Sequence, residues 1–173
     1  MNNQKKNVVL IVILSIVGVL VLLGVGVFLG LKMMKPSFSL KNTSWNAKND
    51  GSEMVFTADT INWYQTDGAH DDNYYSGTYK LYAGKDAVNF LVNDLSEYGY
   101  TLDEINAVFS RNENYNESNF IIIDINYDYA IVNGTKNTPI RPHVPYLGFV
   151  LQDGTYLDIA NMNTSSYLQF IKK

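Results

Sequence analysis

The densest polar chemistry in the chain is seven residues long: Asp67-Gly68-Ala69-His70-Asp71-Asp72-Asn73. Carboxylate and amide oxygens this close could ligate a hard cation, with Asp50 or Glu53 added from a neighbouring turn. The spacing is not that of an EF-hand loop, which needs alternating Asp/Asn ligands closed by a distant Glu. Asp67, Asp71 and Asp72 therefore read as acids of a solvated loop, and no metal site is assigned. His70 and His143 are far apart in sequence and there is no cysteine, so no zinc ligand set is present.

A second group is aromatic. All thirteen tyrosines and both tryptophans lie after residue 36, with Trp63, Tyr64, Tyr74 and Tyr75 bracketing the polar loop. Such rings stack on apolar or sugar faces, and a tyrosine keeps a polar handle at a wet interface. These four are the candidate binding residues. Alternation also puts Tyr75 and Tyr79 on the side of Leu81, as core packing requires.

Catalytic motifs are missing: no Gly-x-Ser-x-Gly elbow, no His-Glu-x-x-His, no glycine loop for phosphate. Arg141-Pro142-His143 with Asp153 or Asp158 can be drawn as an acid–base pair, but nothing else supplies a mechanism. The chain is read as non-enzymatic, and it implies no cofactor.

The elements that carry these residues begin with a membrane anchor. Val8 to Leu31 is an uncharged, almost wholly apolar run of 24 residues. As a helix it spans roughly 36 Å, enough to cross a hydrocarbon core of about 30 Å. It is too long for the apolar region of a cleaved signal and has no small-x-small exit. The expected organisation is a cytoplasmic tail (1–7), a signal-anchor helix (8–31), a juxtamembrane segment (32–39) and a β-rich extracellular domain (40–173). Flanking lysines nearly balance, so the orientation rests on the folded C-terminal part and its charge. Residues 37–173 hold 9 Lys+Arg against 17 Asp+Glu. That balance, with two arginines, excludes nucleic-acid binding. Gly26 and Gly30 form a small-xxx-small pair through which two spans could associate as a homodimer.

In the domain, strands are expected at Leu40–Ala47, Glu53–Ala58, Thr60–Gln65 and Tyr74–Ala83. The period then becomes helical: Asp86–Tyr98, with Asp86 as N-cap and Gly99 as stop, followed by a capping box at Thr101-Leu102-Asp103-Glu104. Strands resume at Asn119–Tyr129, with a turn at Val132-Asn133-Gly134-Thr135. Asn137–Pro145 reads as a proline-rich loop. Tyr146–Leu151 and Thr155–Ala160 flank a hairpin turn at Gln152-Asp153-Gly154. Thr164–Lys173 has Tyr167, Phe170 and Ile171 at helical spacing, with a closing strand as the alternative.

The expected fold class is α+β: an N-terminal transmembrane helix, then a curved antiparallel sheet or small barrel with two inserted short helices. Asn42-Thr43-Ser44-Trp45, a tryptophan in a first strand before a meander, resembles the start of a lipocalin-like barrel, without the glycine of the Gly-x-Trp signature. Asp72-Asn73-Tyr74-Tyr75-Ser76-Gly77-Thr78-Tyr79 and Asp158-Ile159-Ala160-Asn161-Met162-Asn163-Thr164 resemble stretches of single-pass surface proteins of Gram-positive bacteria. That resemblance implies a cell-membrane address and no activity. Two functions are expected to compete. One is an interaction module that meets an envelope protein through an aromatic surface. The other is a cup for a glycan or apolar small molecule.

Overall fold

The computed structural model describes residues 38–65, 70 and 72–173. Its strands, in chain order, are β1 (Thr43–Ala47), β2 (Glu53–Phe56), β3 (Thr60–Tyr64), β4 (Asn73–Ala83), β5 (Phe120–Val132), β6 (Thr135–Asn137), β7 (His143–Leu151), β8 (Tyr156–Asn161) and β9 (Tyr167–Lys172). Helices α1 (Lys85–Asn93) and α2 (Leu102–Phe109) are inserted between β4 and β5. Pairing runs β4-β3-β2-β1-β9-β8-β7-β5, and β5 returns to pair with β4 along its length. The sheet therefore closes into an eight-stranded antiparallel barrel, and closure removes the exposed edges that an open sheet would present. Short β6 pairs only with the last residues of β5, outside the ring.

The expected anchor helix at 8–31, its flanking segments and Gly26 and Gly30 lie outside the described residues. Among those described, no helix is long and apolar enough to cross a membrane.

Two apolar layers share the barrel wall. The period-two alternation of β5 sends Ile121, Ile123, Ile125 and Tyr127 inward, where they meet Trp45, Met54, Phe56 and Phe170. Phe120 and Ile122 point outward, with Leu147 and Phe149 of β7, and are covered by α1 and α2. Each such apolar side chain contributes about 1.5–3 kcal/mol through burial. This explains why β5 reads as a continuous Ile-rich run: both of its faces are buried.

Closing so small a ring brings strands close together. A Cβ on Gly148 would lie 1.9 Å from the Asp158 carbonyl oxygen, and one on Gly77 would lie 2.1 Å from that of Asn126. Glycine at these two inward positions lets the wall bend sharply. Beside Gly77 the β4–β5 register shifts, leaving Asp128 bulged between Tyr127 and Tyr129.

The helical insert matches its sequence signals in part. The Thr101 capping box forms as expected, with Thr101 N–H donating to Glu104 Oε2 at 2.9 Å. Tyr100 and Ile105 are buried on either side of it, completing the hydrophobic staple. Asp86 is not the N-cap: Gly84 is, at φ 58°, because the chain must turn sharply out of β4. The expected helix Asp86–Tyr98 stops at Asn93 and resumes as one 3₁₀ turn, Ser96–Tyr98. Leu95 N–H bonds Phe90 O, five residues back, which widens the last turn and breaks the helical register.

Two strand assignments also change. Pro145, expected in a loop, lies within β7 opposite Asp124. Its missing N–H faces the side where β8 has ended, and its carbonyl accepts from Met162 N–H at 3.0 Å, so no ladder donor is lost. The helical spacing after Thr164 is overridden: Tyr167–Lys172 is the strand that joins β8 to β1 and closes the ring.

Candidate functional site

The four aromatic candidates do not share a face. Trp63 and Tyr64 are adjacent in β3, and Tyr74 and Tyr75 are adjacent in β4, so alternation sends one of each pair each way. Trp63 and Tyr75 line the barrel interior. Trp63 packs edge-on against Tyr146, centroids 5.5 Å apart, and Tyr75 meets Tyr127 at 5.3 Å. Tyr64 and Tyr74 point outward as direct cross-strand partners, centroids 5.3 Å apart.

The outward pair belongs to a longer row. His70 stacks on Tyr64 at 3.9 Å, Tyr74 meets Tyr129 of β5 edge-on at 6.2 Å, and Lys136 of β6 places its Nζ 4.2 Å over the Tyr129 ring. The row thus crosses β3, β4, β5 and β6 near one rim. The helices cover β5 and β7 elsewhere and leave it uncovered. Hydrogen bonds to Ser76 and Tyr74 hold the Tyr129 phenol below the usual tyrosine range, against burial and the Asp128 charge and with the Lys136 charge in support. From the sequence His70 reads only as part of the polar loop, and Tyr129 and Lys136 are not singled out there. Alternation from Ile121 to Tyr127 would send Tyr129 inward, and the bulge at Asp128 turns it outward, so the sequence carries no signal for it.

His70 is anchored as well as stacked. Its Nε2 lies 2.9 Å from Glu53 Oε2, and Lys173 Nζ lies 3.0 Å from the other carboxylate oxygen. Glu53 itself is buried on the outer side of β2. Burial opposes its ionisation, but hydrogen bonds and charges from Lys173 and His70 outweigh that and hold its pKa below the usual range.

The acid loop forms no metal site that can be described. Asp67 and Asp71 lie outside the described residues, and Asp72 is an exposed turn residue whose carbonyl accepts from Gly134 N–H. Among the described residues no group of three His, Asp or Glu side chains could hold a metal.

His143 does not pair with Asp153 or Asp158. Its partner is Asp124, a diagonal neighbour on the outer face of β5, at 2.5 Å. Asp158 instead lies buried beneath the helical layer, accepting from the Tyr115 hydroxyl at 3.3 Å. Burial pushes its carboxyl above the usual range, against hydrogen bonds from Gln169, Tyr167 and Tyr115.

Inside the barrel Trp45, Met54, Ile61 and Phe170 have no accessible surface, whereas the inward Trp63, Tyr75, Tyr79 and Leu81 are only partly buried. A cleft of about 270 Å³ opens at the rim opposite the aromatic row, between Leu40, Ala58, Asp59, Tyr79 and Leu81. A void of about 20 Å³ lies between the helices and β7.

Fold and surface together define an eight-stranded antiparallel barrel with an outer helical layer and an outward aromatic row that this layer does not cover. The chain matches no protein-family model, no curated protein and no solved structure.

Proposed function

We propose that this chain is a membrane-anchored, non-enzymatic interaction module of the bacterial cell envelope. Residues 8–31 act as the signal anchor and 1–7 as the cytoplasmic tail. The barrel stands on the extracellular side and meets a partner protein through its aromatic row. The observation that carries this reading is the outward row His70–Tyr64–Tyr74–Tyr129, which the helices do not cover among the described residues. Half-buried tyrosines with polar tips suit the fully desolvated centre of a protein interface. The small-molecule alternative would use the cleft of about 270 Å³ at the opposite rim, which the inward-facing Tyr79 and Leu81 help to line.

Geometry supports the same reading from the tether. Phe38 packs near Trp45 and against Gly154, at the rim that bears the β2–β3 turn. Tyr64, Tyr74 and Tyr129 lie toward the other rim. A tether arriving at residue 38 would put the aromatic row toward the rim farther from the bilayer.

The test is in-cell crosslinking of the tagged full chain, followed by identification of the captured proteins. One or two envelope proteins are expected, lost with Tyr64→Ala/Tyr74→Ala and kept with the interior variant Tyr75→Phe. Recovery of the chain alone would overturn the proposal.

A further inference from the structure

β6 lies outside the ring, and its side facing away from β5 has no partner among the described residues. β6 is the first part of an arm, Thr135 to Pro142, that stands out from the wall. The arm is held at both ends. Val132 and Thr135 pair across a two-residue turn in which Asn133 and Gly134 have φ 51° and 72°, and Pro142 O accepts from Tyr127 N–H at 2.8 Å. Pro139 and Pro142 restrict the segment between, so little conformational entropy remains to be lost on binding.

The arm's charge runs against that of the rest of the domain. From Asn133 to His143 there is no carboxylate, and Lys136 and Arg141 are both exposed, in a domain where acids outnumber bases 17 to 9. Ile140 is 99% exposed at the arm's tip, and Val132 is 45% exposed at its base. A second copy of the arm would bring lysine against lysine, and such like-charge pairing disfavours self-association. An acidic strand would meet the opposite sign.

We propose that β6 is a strand-addition site for an extended acidic segment of the partner protein. The N–H and C=O of Lys136, which face away from β5, supply the main-chain attachment, and carboxylates beside Lys136 and Arg141 set the register. This rests on the interaction-module reading and names how the partner docks beside Tyr129.

The probe is a labelled octapeptide alternating threonine and glutamate, titrated into the full chain in detergent micelles, with its threonine–lysine counterpart as control. Saturable binding of the acidic peptide alone is expected, with slowed amide exchange at Lys136, whose N–H faces away from β5, and weakening by added salt. The variant K136E/R141E, altered only at exposed side chains, should bind roughly tenfold more weakly, as expected for two surface charge pairs. Equal binding of both peptides, no saturable binding, or protection away from β6 would each overturn the inference. If a partner crosslinked in cells through Tyr64 and Tyr74 is retained by K136E/R141E, the aromatic surface stands and the edge site falls.

Discussion

His70 lies flat on Tyr64, ring centroids 3.9 Å apart and planes 15° from parallel. With its Nε2 held by Glu53, this single side chain ties the loop after β3 back onto the outer wall of β2 and β3. The aromatic row is thus clamped at one end by a histidine and capped at the other by Lys136.

Glu53→Gln tests the clamp. Because the folded pKa of Glu53 lies below its ordinary value of 4.5, its contribution is present above that value and is lost as pH falls through the folded pKa. The variant should lose about 1–2 kcal/mol at neutral pH, since two charge-assisted contacts weaken. It should also flatten the acid limb of the stability–pH curve. Urea titrations between pH 3 and pH 7 measure both, and an unchanged acid limb would show that Glu53 does not drive it.

Asp158→Asn should act in the opposite sense. Its folded pKa is raised by burial, so the native state binds more protons than the unfolded chain between the two values. Stability therefore falls as pH rises through that window, and the full penalty remains above it. A neutral amide of the same shape keeps an acceptor for Tyr115 and removes the penalty. The melting temperature at pH 7 should rise, and the difference from wild type should shrink on acidification. A fall in melting temperature at pH 7 would show that the ionised carboxylate is needed.

Gly148→Ala should destabilise by about 3 kcal/mol, the upper range for overpacking, because the added methyl would meet backbone atoms that cannot rotate away. Chemical denaturation reads the loss directly. A loss below 0.5 kcal/mol, on the order of an ordinary surface change, would mean that β7 and β8 can separate there.

Thr101→Ala should cost about 1 kcal/mol by breaking the capping box, while Thr101→Ser should restore most of it. Thermal melts of the two variants compared with wild type decide it. Equal melts for all three would show that tertiary packing alone holds α2.

Local signals carried much of this architecture. The apolar alternation of Glu53–Phe56 and Thr60–Tyr64, the Asn133-Gly134 turn, the capping box at Thr101 and the inward set Ile121, Ile123, Ile125 and Tyr127 all depend on neighbours within a few residues. Propensity and period act at that range, so one sequence is enough to read them. The tertiary structure decided what depends on distant partners. Tyr167–Lys172 became a strand because β8 and β1 both needed a neighbour, and Pro145 fitted within β7 because β8 ends beside it. Strand parity was legible within β3 and β4, so Trp63 and Tyr64 had to part company. That Tyr129 and Lys136 extend the outward row depended on the register of β4 against β5, which a bulge resets, and on closure of the ring. Side-chain period is a local property, whereas register and closure are properties of the whole barrel.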